Sequence, residues 1–452
     1  MIERESRAES GADRVGLLAE RDSAAALVGD REASRNTEHE TLSDYDGGGE
    51  AASCEDVSRR TPVSELAGVY ASRARRWVTE NPDLRLALFW WLASKVITLV
   101  LGWAASAILP ANHIVNKSFA GIWRHWDTLL FIDLARHGYG GHKPYLAAFF
   151  PLYPMLASVV HTLTLGALST YWSALVVSWV FQLGCYYLLL RLCRRERSEH
   201  VARMSLQNLV IWPTGFFLGV AYSEPVFIFF ILLAFWAARE KRWLCVAGAY
   251  ALASASGVEG VLLGLPILIE MLRSRVGMKT VLAALSSGPA ALVAFMIYTF
   301  SQGLGFFAFL DAQQHWSRHT VGPWNGLAVG FGDLVHYARW GSNIFVYTAI
   351  DLGSALAVLG LVWVMLRGRY RASWIVWTLI VVLVPLSSTT RLSFAPTQLM
   401  SMSRLVLPAF PIFVAVADLR RRHPLVDNAV LWAAPALQAF FFVLWTLNYW
   451  IA

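Results

Sequence analysis

Residues 84–109 read LRLALFWWLASKVITLVLGWAASAIL. About 20 mostly apolar residues are what one helix needs to cross a hydrocarbon core roughly 30 Å thick. Comparable runs recur at 171–190, 201–221, 223–238, 280–300, 344–366, 372–388, 402–418 and 427–450. The longer run 243–272 is broken by SASGVEG at 254–260 and reads as two short spans meeting at Gly257–Gly260. These runs predict an all-α polytopic membrane protein of about eleven transmembrane helices, within roughly 10–13.

Composition agrees. Of 452 residues, 56% are hydrophobic and 15% charged, and the mean hydropathy is +0.47. Soluble domains carry roughly 25% charged residues. Twenty Trp and 25 Phe fit a chain whose aromatic rings collect at membrane–water interfaces. The four cysteines, Cys54, Cys185, Cys193 and Cys245, show no paired spacing, so neither a disulfide framework nor a metal site is expected. No secretory signal is read in MIERESRAESGADR, which lacks an apolar core.

Charge divides the chain. The first 83 residues hold 18 of the 31 acidic groups and 11 of the 38 basic ones. Residues 1–76, with DYDGGGEAAS and no periodicity, read as a disordered cytoplasmic tail, and 77–452 as the multi-span domain. The basic clusters beyond it lie between apolar runs, which favours topology and lipid phosphate over nucleic acid as their explanation. They are RARR (73–76), RLCRRER (191–197), REKR (239–242), RSR (273–275), RGRYR (367–371) and RRRH (420–423). Under the positive-inside rule, the spans above place all six on one, cytoplasmic, side. Only 145–163, YLAAFFPLYPMLASVVHTL, spoils the parity, so it is expected to be a re-entrant or interfacial helix packed within the protein. Three external segments remain: 110–144, 301–343 and 389–401.

Few acids are left on that external side: Asp127, Asp133, Glu224, Glu259, Asp311 and Asp333. An ionisable group at membrane depth is a functional candidate by default. No GxGxxG, Walker-type loop, CxxC pair or HExxH occurs, so nucleotide-driven transport and zinc hydrolysis lose support.

Four stretches concentrate the remaining chemistry. In IWRHWDTLLFIDLARHGY (122–139), Trp123, Trp126, Leu130 and Leu134 recur at helical spacing and would seat an amphipathic helix at the interface. Arg124, His125, Asp127 and His137 would then gather at headgroup level, either as a site or as ordinary snorkelling groups. In AYSEP (221–225), Glu224 either serves the site or, with Ser223, caps a helix. In FLDAQQHWSRH (309–319), Gln314, Trp316 and Arg318 are candidates for sugar or phosphate contacts, with a solvated loop end as the plainer reading. In MSMSR (400–404), Arg404 either grips a phosphate or snorkels as an anchor.

Taken together, these stretches resemble the PIG-V-like mannosyltransferases of the glycosyltransferase C superfamily. The carrying residues are HWDTLLFIDLARHGYG (125–140) and AAFFPLYP (147–154), then AYSEPVF (221–227), AQQHWSR (312–318) and MSMSRLVLPAFPIF (400–413), in the family's order. The resemblance covers residues 84 to about 420 and implies a glycosyltransferase C-like fold. It implies a polyprenyl-phosphate sugar donor, a glycolipid or glycan acceptor, and action at the extracytoplasmic face of the lipid bilayer. It makes Asp127 the catalytic base, Trp126 a wall of the site, and Glu224 and Arg404 pocket or phosphate residues. Arg124, His125, His137, Tyr139, Gln314, Trp316 and Arg318 are the further substrate-binding candidates. One departure stands out: in ASASGVEG the family's Arg is replaced by Ser256, and Glu259 is an added acid.

A sugar on a lipid phosphate already carries a good leaving group, so no nucleotide or other cofactor is expected, with a divalent ion left open. Direct displacement would invert the anomeric centre. A reading from another class, a transporter or flippase of a lipid-linked substrate, would suit the broken helices at 145–163 and 243–272. A catalytically silent membrane scaffold is a third. The expected location is a bacterial inner membrane with the N-terminus in the cytoplasm.

Overall fold

The computed structural model describes residues 80–109, 121–140, 143–337, 342–390, 398–399 and 401–451. The tail expected over 1–76, the RARR cluster, and parts of the three expected external segments lie outside the described residues. What is described is nearly all helical: α1 (Pro82–Ile108), α2 (Asp127–His137), α3 (Leu152–Leu163), α4 (Thr170–Glu196), α5 (Glu199–Ile211), α6 (Glu224–Arg239), α7 (Trp243–Ser254), α8 (Glu259–Leu262), α9 (Gly264–Arg273) and α10 (Met278–Ser301). Then follow α11 (Ala308–His315), β1 (Arg318–Thr320), α12 (Pro323–His336), α13 (Asn343–Arg367), α14 (Ala372–Leu386), β2 (Ser388–Thr390), α15 (Met402–Leu405), α16 (Pro411–Arg422) and α17 (Pro424–Thr446). The two strands pair antiparallel, with Arg318 opposite Thr390.

Local sequence sets the starts. Asn81 accepts a hydrogen bond from the Leu84 amide ahead of Pro82, and Ser169 does the same for Trp172 and Ser198 for Val201. Among the described residues five helices, α1, α4, α10, α13 and α17, are long and apolar enough to cross a membrane, and α3, α7 and α14 are shorter apolar helices. The chain is therefore an integral membrane protein by helix length and composition. The run 243–272 is broken as expected, into α7, α8 and α9. The run 145–163 contains a twelve-residue helix, α3, preceded by a 3-10 turn at Pro144–Ala148.

Two expected spans are not continuous helices. In 201–221 the helix stops at Ile211, because Pro213 disfavours helical backbone at Trp212 and removes a donor. The chain continues as a 3-10 turn, Gly215–Gly219, packed so closely that a Cβ at Gly215 would lie 2.7 Å from the Leu209 carbonyl oxygen. In 402–418 a four-residue turn, α15, ends before Pro408, and α16 restarts at Pro411. The stripe expected to rest on lipid in 122–139 is turned inward instead. Trp123 and Leu134 are buried, Trp123 against Phe442 with ring centroids 5.3 Å apart.

The helix ends sort the charges. Arg194 pairs with Asp83 and Glu199, Arg239 and Arg371 both pair with Glu196, and both also approach buried Glu270, at 3.6 and 3.8 Å. Ser373 donates to the same Glu270, Tyr370 to Asp418, and Arg420 ion-pairs with Asp427 at 2.7 Å. These groups come from the start of α1, the ends of α4, α6, α9 and α16, and the starts of α5, α14 and α17. The basic clusters within the described residues thus share one end of the bundle, as the charge pattern required. From that end α6 runs about 22 Å, at 1.5 Å per residue, to Glu224.

Glu270→Ala is expected to leave Arg239 and Arg371 sharing the single carboxylate of Glu196, with a loss of about 3 kcal/mol. Denaturant unfolding in detergent measures it. Lys279→Ala, at an exposed position near the same end, is expected to leave stability unchanged.

Candidate active site

Asp127 opens α2, Glu224 opens α6 and Arg404 sits in the short turn α15. The structure brings all three together. Arg404 Nη1 donates to Asp127 Oδ2 at 2.9 Å, and its Nε lies 3.1 Å from Glu224 Oε1. The guanidinium also lies over the rings of Phe217 and Tyr222, at 5.5 and 5.2 Å. The side chains of Asp127, Glu224 and Arg404 are 19%, 13% and 12% exposed, so the triad is shielded from bulk solvent. No described residue donates a hydrogen bond to the second Asp127 oxygen, Oδ1. Arg404 holds one oxygen; the other has no donor among the described residues.

Backbone geometry presents each member. Trp126, just before Asp127, has φ 52 and ψ −125, a conformation costing a bulky residue about 1–3 kcal/mol. Its ring packs edge-on against Trp450 at 4.9 Å, while its buried Nε1 has no hydrogen-bond partner among the described residues. Ser401, ahead of α15, has φ 65, and Ser317, ahead of Arg318, has φ 48. Strained residues therefore flank Asp127, Arg404 and Arg318 alike. The AYSEP turn is held by Thr128, which donates to the Ala221 carbonyl, and by Ser178, which donates to the Tyr222 carbonyl.

Arg318 enters from β1 and is half-buried. Burial pulls its guanidinium below the ordinary value, opposed first by the nearby carboxylate of Glu259 and more weakly by Asp127. Glu259, read above as an added acid, thus lies within electrostatic reach of Arg318. Trp316 Nε1 donates to the Tyr145 carbonyl at 3.1 Å, and Thr390 donates to the Trp316 carbonyl at 2.9 Å, so Trp316 braces the strand carrying Arg318.

These positions fit the match found by comparison with protein families, in which residues 94–320 align with the family described as Mannosyltransferase (PIG-V). That is half of the chain. This protein belongs to that family. It is accordingly a glycosyltransferase of the mannosyltransferase type. A search of curated proteins gave no match. Asp127, Glu224 and Arg318 lie inside the PIG-V match and Arg404 lies beyond it, joined to them by the fold.

Other candidates fall outside this cluster. His137 lies ten residues along α2 from Asp127, about 15 Å away. On that exposed stretch it pairs with Asp133 at 2.8 Å, and Lys143 pairs with the same carboxylate at 2.7 Å. The Lys143 hydrogen bond holds the Asp133 carboxyl below its ordinary value. Tyr139 is buried against Phe295 and Tyr298 and donates to the Phe149 carbonyl, a packing role. His125 is buried edge-on against Trp445 at 5.1 Å. Arg124 is exposed but within electrostatic reach of Tyr171. Gln314 and Asp311 are exposed, and Asp333 accepts from Gln398. Among the described residues no three His, Cys, Asp or Glu side chains gather as a metal-binding set.

Asp351 was not among the sequence candidates, yet it supports Arg404. Buried within α13 at 3% exposure, it accepts from the Ser403 amide at 3.0 Å, while Thr214 donates to the Ser403 carbonyl at 2.8 Å. The turn that aims Arg404 is thus pinned from both sides. A lone acid in the apolar run 344–366 was the signal.

Asp351→Leu is expected to lower sugar transfer by about 100-fold through misplacement of Arg404, with Asp351→Asn, which keeps an acceptor, retaining most of it. A transfer assay on both variants checks this. Arg404→Lys, which lacks the fork needed to span both carboxylates, is expected to lose about as much as Asp351→Leu.

Proposed function

We propose that this PIG-V family member moves a mannosyl residue from a polyprenyl-phosphate carrier to a glycolipid or glycan hydroxyl at the extracytoplasmic face. The observation that carries this reading is the Asp127–Arg404–Glu224 triad, in which no described residue donates to Asp127 Oδ1. In the proposed step the acceptor hydroxyl gives its proton to Asp127 Oδ1 as its oxygen bonds to the anomeric carbon. The bond from that carbon to the phosphate oxygen breaks, and the charge on the departing polyprenyl phosphate falls to Arg404 and Arg318. A single displacement inverts the centre, so a β-linked donor gives an α-linked product.

The placement has physical support. Glu224 and Arg239 lie at opposite ends of α6, about 22 Å apart, comparable with a hydrocarbon core. The basic layer is the cytoplasmic side by the positive-inside rule, which leaves the triad near the opposite interface, where a lipid-linked sugar phosphate resides. The same rule puts the N-terminal tail in the cytoplasm of a cell with this protein in its inner membrane, about eleven segments crossing it. The glycosyltransferase C arrangement belongs to this reading. So does a step run by the chain's own residues, to which a phosphate-bound divalent ion is an open addition. No observation favours a transporter.

Asp127→Asn keeps the size and polarity of the side chain but cannot take the proton. Transfer in vesicles supplied with polyprenyl-phosphate mannose is expected to fall by about 100- to 10,000-fold. Full activity in this variant would remove the assignment. Arg318→Gln is expected to lower kcat more than it raises the KM for the donor.

A further inference from the structure

At the basic end of the bundle, remote from the triad, the ends of α13 and α16 and the turn before α14 enclose a cavity of about 250 Å³. Its charged lining is Arg367, Asp418 and Arg422. Asp418 is already engaged: Tyr370 donates to it, and Arg197 lies 3.9 Å away, with its guanidinium 4.2 Å over the Tyr370 ring. Arg367 stacks on Trp363 at 4.4 Å, and neither Arg367 nor Arg422 has a carboxylate partner among the described residues. The cavity therefore presents two guanidinium groups whose charge no carboxylate among the described residues pairs. Trp363, in the lining, and Leu366, next to Arg367 in the chain, are each 57% exposed, and Leu425, three residues after Arg422, is 85% exposed.

We propose that this cavity binds the phosphate of an anionic phospholipid. Two guanidiniums supply forked donors suited to phosphate oxygens. The cavity lies at helix ends, the level of a headgroup, and the exposed strip of Trp363, Leu366 and Leu425 offers a surface for acyl chains. A free phosphate has no use for that strip. A headgroup bearing an ammonium would bring a second cation to a basic rim, so phosphatidylglycerol is preferred over phosphatidylcholine. The lipid would tie the end of α13, which carries Asp351, to the end of α16.

The test uses the full chain, delipidated in detergent and titrated with phosphatidylglycerol or phosphatidylcholine, with bound lipid counted by native mass spectrometry. The wild type is expected to hold one phosphatidylglycerol in preference to phosphatidylcholine. The pair Arg367→Gln and Arg422→Gln is expected to bind it about tenfold or more weakly. The pair Lys241→Gln and Lys279→Gln, which removes two charges elsewhere on that end, is expected to match wild type. Arg422→Gln alone, at an exposed position, is expected to show a partial loss and serves if the double variant does not fold. Equal retention in the cavity variants, equal binding of phosphatidylcholine, or displacement of the lipid by excess inorganic phosphate would each overturn the proposal.

Discussion

A buried guanidinium held between two carboxylates is the constraint on which the site depends. Arg404 reaches Asp127 and Glu224 at once. In a membrane protein each of those charges, left alone, would cost several kcal/mol. The cost is avoided only if α2, α6 and α15, from distant parts of the chain, converge. Much of the neighbouring structure follows: the 3-10 turn at Gly215–Gly219 brings Phe217 under the guanidinium, Asp351 pins the turn of α15, and Trp126 and Ser401 hold strained backbone beside the charges they present. Strain of this kind persists where surrounding packing over-determines it.

The same charges give the molecule its polarity. Arg239 and Glu224 belong to one helix yet to different ends, the first in a layer of ion pairs with Glu196 and Glu270, the second in the triad. Between them α6 presents only apolar side chains and Pro225. The proposed transfer from a lipid-borne donor would need such an arrangement, with chemistry at one interface and anchoring charge at the other.

The fold was legible where one physical signal acted alone. Long apolar runs gave α1, α4, α10, α13 and α17, whereas the caps at Asn81, Ser169 and Ser198 emerged only with the structure. The helix breaks inside 201–221 and 402–418 were not read, because hydropathy outweighed their prolines. Pro213, Pro408 and Pro411 sit in apolar surroundings and break the helix without changing the average. At the site, Asp127, Glu224 and Arg404 were named from the sequence, but nothing in it gave their contact: the residues are far apart in the chain. His137 and Tyr139 lie close to Asp127 in sequence and were grouped with it, yet a helix carries ten residues about 15 Å along its axis. Asp351 was readable as a lone acid in an apolar run. It passed unassigned because its partner is a backbone amide, which no motif records.

Asp127, with one oxygen tied to Arg404 and no described donor on the other, is proposed to act as a base in a single displacement. The most direct measurement is the anomeric configuration of the product, read from one-bond carbon–hydrogen coupling by NMR after transfer from a β-linked polyprenyl-phosphate mannose. Inversion to the α-linked product is the result the account requires. A β-linked product would mean two displacements or another nucleophile, and would contradict it.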